Sequence, residues 1–280
     1  SAASPRPRDA NDSAWTGIDW DGSFTHGIRG LRVEAGVYPE RLEDAIEAGW
    51  KTGVELPGSD GLGHVGAMKM IYGTLSYAPD QIEAYFHVAT CHGFAITCHA
   101  IGDEANTIVL NAAASTHAHG SIEHAQMLKP ADIPRFAKLG LTASIQPQHA
   151  MDDRDVITRF WANPGGIPYA FKALHDAGVR LRMGSDAPVA PLDPWMAISA
   201  AVFGTESSDR EPFQPEQCLD ARTALAASTA AATALSPEIT DLVLLDRDPY
   251  AVSTPEEMRA MPVAATMLAG RWTYSSLHGE

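Results

Sequence analysis

The stretch Phe94-Ala-Ile-Thr-Cys-His-Ala-Ile-Gly-Asp-Glu-Ala-Asn106 decides the fold. A short apolar run leads to a polar, metal-competent side chain at His99, and Gly102 then turns the chain into a segment of helical character. Asp103 reads as the N-cap of that helix. Two later segments repeat the pattern. Ser121-Ile-Glu-His-Ala-Gln126 ends its strand on His124, and Val179-Arg-Leu-Arg-Met-Gly-Ser-Asp186 ends on Asp186. Ligand-type side chains at the ends of three strands predict one shared site.

Working outward, the same rhythm runs along most of the chain. Residues 30–38 are strand-like, 39–50 helix-like with a proline near the start, and 65–73 strand-like after a glycine-rich loop. Residues 79–92 carry apolar positions at helical spacing before the strand at 94–99. After the strand ending at His124, we expect a helix at 130–139, a strand at 141–146, a polar loop at 151–155, a helix at 168–177 and a strand at 179–185. Alternating strands and helices predict an α/β fold with a parallel sheet, most simply a (β/α)8 TIM-type barrel with its site at the C-terminal strand ends. Six such strands are legible where a closed barrel needs eight, so the barrel reads as incomplete at its N-terminal side.

Beyond Asp220 the texture changes. An alanine-rich helix at 221–233 gives way to strand-like runs at 240–246 and 263–274, the second carrying a glycine turn, which predict a small β-rich appendage. The expected organisation is an unassigned segment at 1–28, a barrel at 29–234 and the β-rich segment at 235–280.

Bulk composition narrows the function classes. The 280 residues suffice for one large core, and 45% hydrophobic with 20% charged residues is ordinary for a globular enzyme. Twenty Lys and Arg against 35 Asp and Glu leave a net charge of −15, which repels nucleic acid and anionic membranes. We therefore expect neither as a partner; a homo-oligomer stays open. The opening residues lack the apolar core of a secretory signal and read as a disordered or truncated end, so a cytoplasmic location is expected. Cys91, Cys98 and Cys218 have no Cys-x-x-Cys spacing and predict plain thiols. Cys98 and His99, adjacent on a strand, should point to opposite faces.

Imidazole and carboxylate at strand ends suit a zinc-type ion that keeps a position open for water. A single histidine in such a place is more often packed or hydrogen-bonded than a ligand, but three matching strand ends reverse that balance. Lys69 lies in the apolar run Val65-Gly-Ala-Met-Lys-Met-Ile71, where an unpaired ammonium is costly to bury. It reads either as a snorkelling lysine or as one converted by carbon dioxide into an anionic carbamate ligand.

Taken together, Val-Gly-Ala-Met-Lys69, His99-Ala-Ile-Gly-Asp-Glu-Ala-Asn106, Ile-Glu-His124-Ala-Gln, Ser-Ile-Gln146-Pro-Gln-His149 and Gly-Ser-Asp186-Ala-Pro-Val, in this order, resemble the amidohydrolase superfamily of metal-dependent hydrolases. The likeness falls in the branch that includes N-substituted formamide deformylase and covers roughly residues 30–275. It implies one or two divalent ions, zinc first, with Lys69 as a carbamylated bridging ligand and His99 and His124 on the second metal. Asp186 would bind the first metal and act as the catalytic general base and proton shuttle. Gln146 and His149, in the loop after the next strand, would face substrate or make loop hydrogen bonds. The implied activity is hydrolysis of a C–N bond in an amide-like, N-formyl or cyclic-amide small molecule. The alternatives are a deaminase or ester hydrolase of the same superfamily, or a catalytically impaired barrel that binds a ligand or partner.

His117 and His119 form a His-x-His pair, but they precede the strand carrying His124 and so read as solvated loop residues at the opposite end. Three departures from the superfamily pattern stand out. No His-x-His pair precedes Lys69, the loop after Lys69 is short, and so is the link at 233–240. From these we expect that the sequence omits stretches of a longer protein, as a fragment or as a chain shown without disordered residues. By alternation from Asp186, Arg182 is expected to point inward, where a guanidinium needs an acidic partner.

Overall fold

The structure, a computed structural model, describes residues 30–72, 77–160, 165–229 and 241–277. They divide into two compact units. The first takes in the described residues through Ala100 together with Thr107–Ile122; the second takes in Ile101–Asn106 and everything from Glu123 onward. The expected segment at 1–28 and the expected boundary at 234 lie outside the described residues.

The first unit is a run of parallel strands. Strands β1 (Val33–Val37), β2 (Gly63–Ile71) and β3 (Ile96–Ala100) lie side by side, and β4 (Gly120–His124) begins next to β3. Residues 39–50 hold a turn of 3-10 helix at Pro39–Arg41 and then α1 (Leu42–Glu47). Helix α2 (Pro79–Cys91) buries Ile82, Phe86 and Ala89, the spacing of one helical face. Along β2 and β3 the alternation is strict at the strand ends: Met68, Met70, Ile96, Cys98 and Ala100 are buried, whereas Lys69, Thr97 and His99 are only half-buried. The opposite faces expected for Cys98 and His99 are thus present, and all three cysteines are free. Gly120 starts β4 at φ 141°, and a Cβ there would lie 1.9 Å from the Ile96 carbonyl oxygen, so only glycine allows the two strands to meet. His117 and His119 are exposed just ahead of it.

In the second unit β6 (Thr142–Ile145) pairs in parallel with β8 (Arg180–Met183), Ile145 opposite Met183. Helix α3 (Asp103–Thr116) starts in this unit, and α4 (Ile133–Leu139) closes on Gly140 at φ 70°. Helices α5 (Pro147–Phe160), α6 (Phe171–Asp176), α7 (Pro194–Phe203), α8 (Ala221–Ala227) and α9 (Pro255–Arg259) follow. Asp193 and Asp220 cap α7 and α8 through their side chains. A two-stranded antiparallel ribbon joins β5 (Met127–Leu128) to β7 (Ile167–Pro168). The expected C-terminal appendage is a three-stranded antiparallel sheet in which β10 (Val263–Leu268) lies between β9 (Leu242–Leu245) and β11 (Arg271–Ser275).

Among the described residues the parallel strands number six, as read from the sequence. No helix among them is long and apolar enough to cross a membrane. Three expectations need correction. Residues 151–155 are not a loop but the middle of α5, where Ala150, Met151 and Ile157 are buried, Asp153 is half-buried, and Asp152 and Asp155 stay exposed. Pro168 does not open a helix; it ends β7, and α6 begins at Phe171. Arg182 is exposed, not buried, because β8 buries Leu181 and turns both neighbouring arginines to solvent, which spares the guanidinium its desolvation cost.

Candidate functional site

In the second unit the ends of β4 and β8 and the first turn of α5 bring His124, His149 and Asp186 together. One ligand atom from each lies within 4.8 Å of the others. Asp186 Oδ2 is 4.0 Å from His124 Nε2, too long for a hydrogen bond and comparable with the roughly 3.3 Å between neighbouring ligands of a tetrahedral zinc ion. The imidazoles of His124 and His149 stack with centroids 5.7 Å apart and planes 17° from parallel. Both histidines are more than nine-tenths buried, whereas the Asp186 side chain is 45% exposed. Two sheltered imidazoles and one carboxylate open to solvent form a half-enclosed site.

The backbone is bent to make it. His124 sits at φ 69°, Ala125 at 43° and Asp186 at 55°, in the left-handed region that costs a non-glycine residue about 1–3 kcal/mol. The first bend ends β4 at His124, and the second lies three residues beyond the end of β8, at Asp186. Behind Asp186 the turn is closed by the Val189 N–H donating to the Asp186 carbonyl at 2.9 Å. His149 is in place because α5 begins at Pro147, whose ring is preset for a first helical position, and its own N–H donates to the Gln146 carbonyl at 3.1 Å.

His149 Nε2 and Gln146 Oε1 are buried and have no hydrogen-bond partner among the described residues. A buried polar atom left without a partner costs about 1–3 kcal/mol, so such atoms ask for a ligand. Imidazole nitrogens and a carboxylate are the donor set of a zinc-type ion, so the residues present fit one.

The profile of the amidohydrolase family matches residues 42–274. This chain belongs to that family. Over 223 residues, 72% of this chain and 38% of the relative, it is 29% identical to the protein LONG AFTER FAR-RED 3 of Arabidopsis thaliana. It is 27% identical to the YtcJ protein of Bacillus subtilis strain 168 over 200 residues, 65% of this chain and 38% of the relative. The chain thus spans 38% of the length of each of these curated relatives. Among solved structures it resembles an uncharacterized metal-dependent hydrolase from Pyrococcus horikoshii OT3, with a TM-score of 0.69 and 24% identity over 82% of this chain and 53% of that one. That likeness is one of fold.

Of the site residues read from the sequence, His124 and Asp186 meet in the cluster. Lys69 and His99 belong to the first unit, where they share one face of β2 and β3: Lys69 pairs with Thr97, and Ile71 with His99. Gln146 directly follows β6 and is buried, its amide nitrogen 3.4 Å from the Ser144 carbonyl oxygen. His149, read as a loop residue facing substrate, is a helical residue that joins the cluster. Reading α5 as a helix would have shown that His149 and Asp153, one turn apart, share a face.

Proposed function

We propose that this chain is the hydrolytic part of a metal-dependent amidohydrolase that cleaves a C–N bond in an amide-like small molecule, N-formyl or cyclic, on six strands of a (β/α)8 barrel. The cluster of His124, His149 and Asp186 carries the reading. His124 and His149 would hold the ion with their ring nitrogens and Asp186 with its carboxylate. When bound, a zinc-type ion makes hydroxide available near neutral pH and polarises a carbonyl. The chain's own task is the proton. Asp186, half exposed at the end of β8, takes the proton of the attacking water and passes it to the leaving nitrogen as the C–N bond breaks. Gln146 offers its buried amide oxygen to a substrate donor. Within the first unit we propose Lys69 as the carbamate-bearing lysine and His99 as a ligand, read from their shared face on β2 and β3.

Metal analysis with a substrate panel tests the proposal. The expected result is about one or two zinc-like ions per chain and turnover of N-formyl or cyclic amides. Asp186→Asn should fold normally and lose turnover; unchanged turnover rules out the proton shuttle. Turnover of aminated heterocycles or esters alone would transfer the site to deaminase or esterase chemistry. A protein that takes up no ion would be a binding module instead. Incorporation of labelled carbon dioxide at Lys69, read by carbon-13 NMR, tests the carbamate.

A further inference from the structure

We propose that Asp153 is a positioning residue: from one helical turn beyond His149 it holds the loop after β4, and with it His124, in the geometry that lets both histidines and Asp186 share an ion. The inference rests on the hydrolase reading above. Three hydrogen bonds carry it. Asp153 Oδ2 accepts from the Tyr169 hydroxyl at 2.6 Å and from the Gln126 amide at 2.9 Å, and the Tyr169 N–H donates to the Gln126 carbonyl at 2.6 Å. Gln126 and Tyr169 are 5% and 3% exposed, so the bonds are sheltered from water. Gln126 is therefore tied at its backbone and at its side chain, two residues after His124.

The tie falls where the backbone needs it. His124 and Ala125 are both left-handed, and Tyr169, the residue that grips Gln126, is left-handed too at φ 49°. Two successive non-glycine residues in this region persist only when their surroundings over-determine them. The β5–β7 ribbon delivers Tyr169 to the place. There Gly166 runs so close to Leu128 that a Cβ would stand 2.6 Å from its carbonyl oxygen. Burial, followed by the hydrogen bond to Asp153, pushes the Tyr169 phenol well above its ordinary range, so it stays a proton donor across physiological pH. One helix thus presents His149 to the cluster and, through Asp153, anchors the loop that presents His124. The separation of the two imidazoles is set by a single rigid element.

Co(II) titration of the metal-free full chain tests this with Asp153→Ala, Asp153→Asn and Tyr169→Phe. Because one carboxylate oxygen accepts both donors, the asparagine oxygen can replace it. Asp153→Ala should bind Co(II) about 10–100-fold more weakly, as losses behind metal ligands do, and with altered visible ligand-field absorption. Asp153→Asn should restore both, and Tyr169→Phe should fall between. Wild-type affinity and spectrum in Asp153→Ala would overturn the proposal, as would a defect that Asp153→Asn shares in full. Should Asp153→Ala fail to fold, Tyr169→Phe decides, and wild-type Co(II) binding there overturns it. If the wild-type chain takes up no Co(II), the hydrolase reading fails and the tie is judged by NMR alone. The His124 Hε1 resonance must then move in Tyr169→Phe or Asp153→Ala and return in Asp153→Asn; an unmoved resonance overturns it.

Discussion

Replacing Gly166 with alanine puts a single methyl group where the structure has no room for it. The added Cβ would lie 2.6 Å from the Leu128 carbonyl oxygen and 2.8 Å from its carbonyl carbon. Carbon–oxygen contacts normally stop at about 3.3–3.6 Å, so the overlap is roughly 0.7–1.0 Å. The obstacle is backbone, and relief requires β5 and β7 to part, at the expense of the pairing of Met127 with Pro168 and Leu128 with Ile167. Overpacking of this kind costs about 1–3 kcal/mol. For a domain of this general size each kcal/mol moves Tm by about 2–4 °C, so the melting temperature should fall by roughly 2–12 °C. Differential scanning calorimetry reads this directly, with Gly184→Ala as the comparison. Nothing lies within 4 Å of a Cβ at Gly184, and its melting temperature should shift by the equivalent of no more than about 0.5 kcal/mol. Equal melting temperatures for the two variants would refute the argument, because crowding against Leu128 is the one respect in which it separates them.

Three further outcomes are expected. Phe86→Ala empties the centre of the apolar face of α2, where Phe86 is fully buried, and should cost about 3–5 kcal/mol in urea unfolding. Glu256 accepts hydrogen bonds from the Ser208 hydroxyl and backbone N–H, which lower its pKa from 4.5 to about 2. A depressed carboxylate contributes stability above its unfolded pKa and loses it as pH falls through the folded one. Glu256→Gln should therefore flatten the acid decline in Tm between pH 4.5 and 2, and an unchanged slope would count against the Ser208 contact. Chelation of the loaded protein should lower Tm, since an ion at 100 times its Kd stabilises the folded chain by about 2.7 kcal/mol. A thermal shift that is the same with and without chelator contradicts an ion held by His124, His149 and Asp186.

Local order was legible in the residues alone. Alternation put Cys98 and His99 on opposite faces of β3, because successive side chains on a strand point to opposite faces. The alanine-rich run after Asp220 placed a helix start there, and the glycine turn between β10 and β11 was visible from turn chemistry. The polar residues ending β3 and β4, and the one just beyond β8, could be named before any contact was known. Helix α5 was hidden because its acidic run resembles a loop; only burial of Ala150, Met151 and Ile157 against the rest of the unit holds it as a helix. Which side chains meet was decided by tertiary structure. His149 reaches His124 because a helix starts at Pro147, and His124 faces it because Asp153 and Tyr169, 29 and 45 residues further on, hold the loop in a left-handed bend. Periodicity reports only on near neighbours, whereas the aim of a strand-end side chain depends on hydrogen bonds from residues distant in the chain.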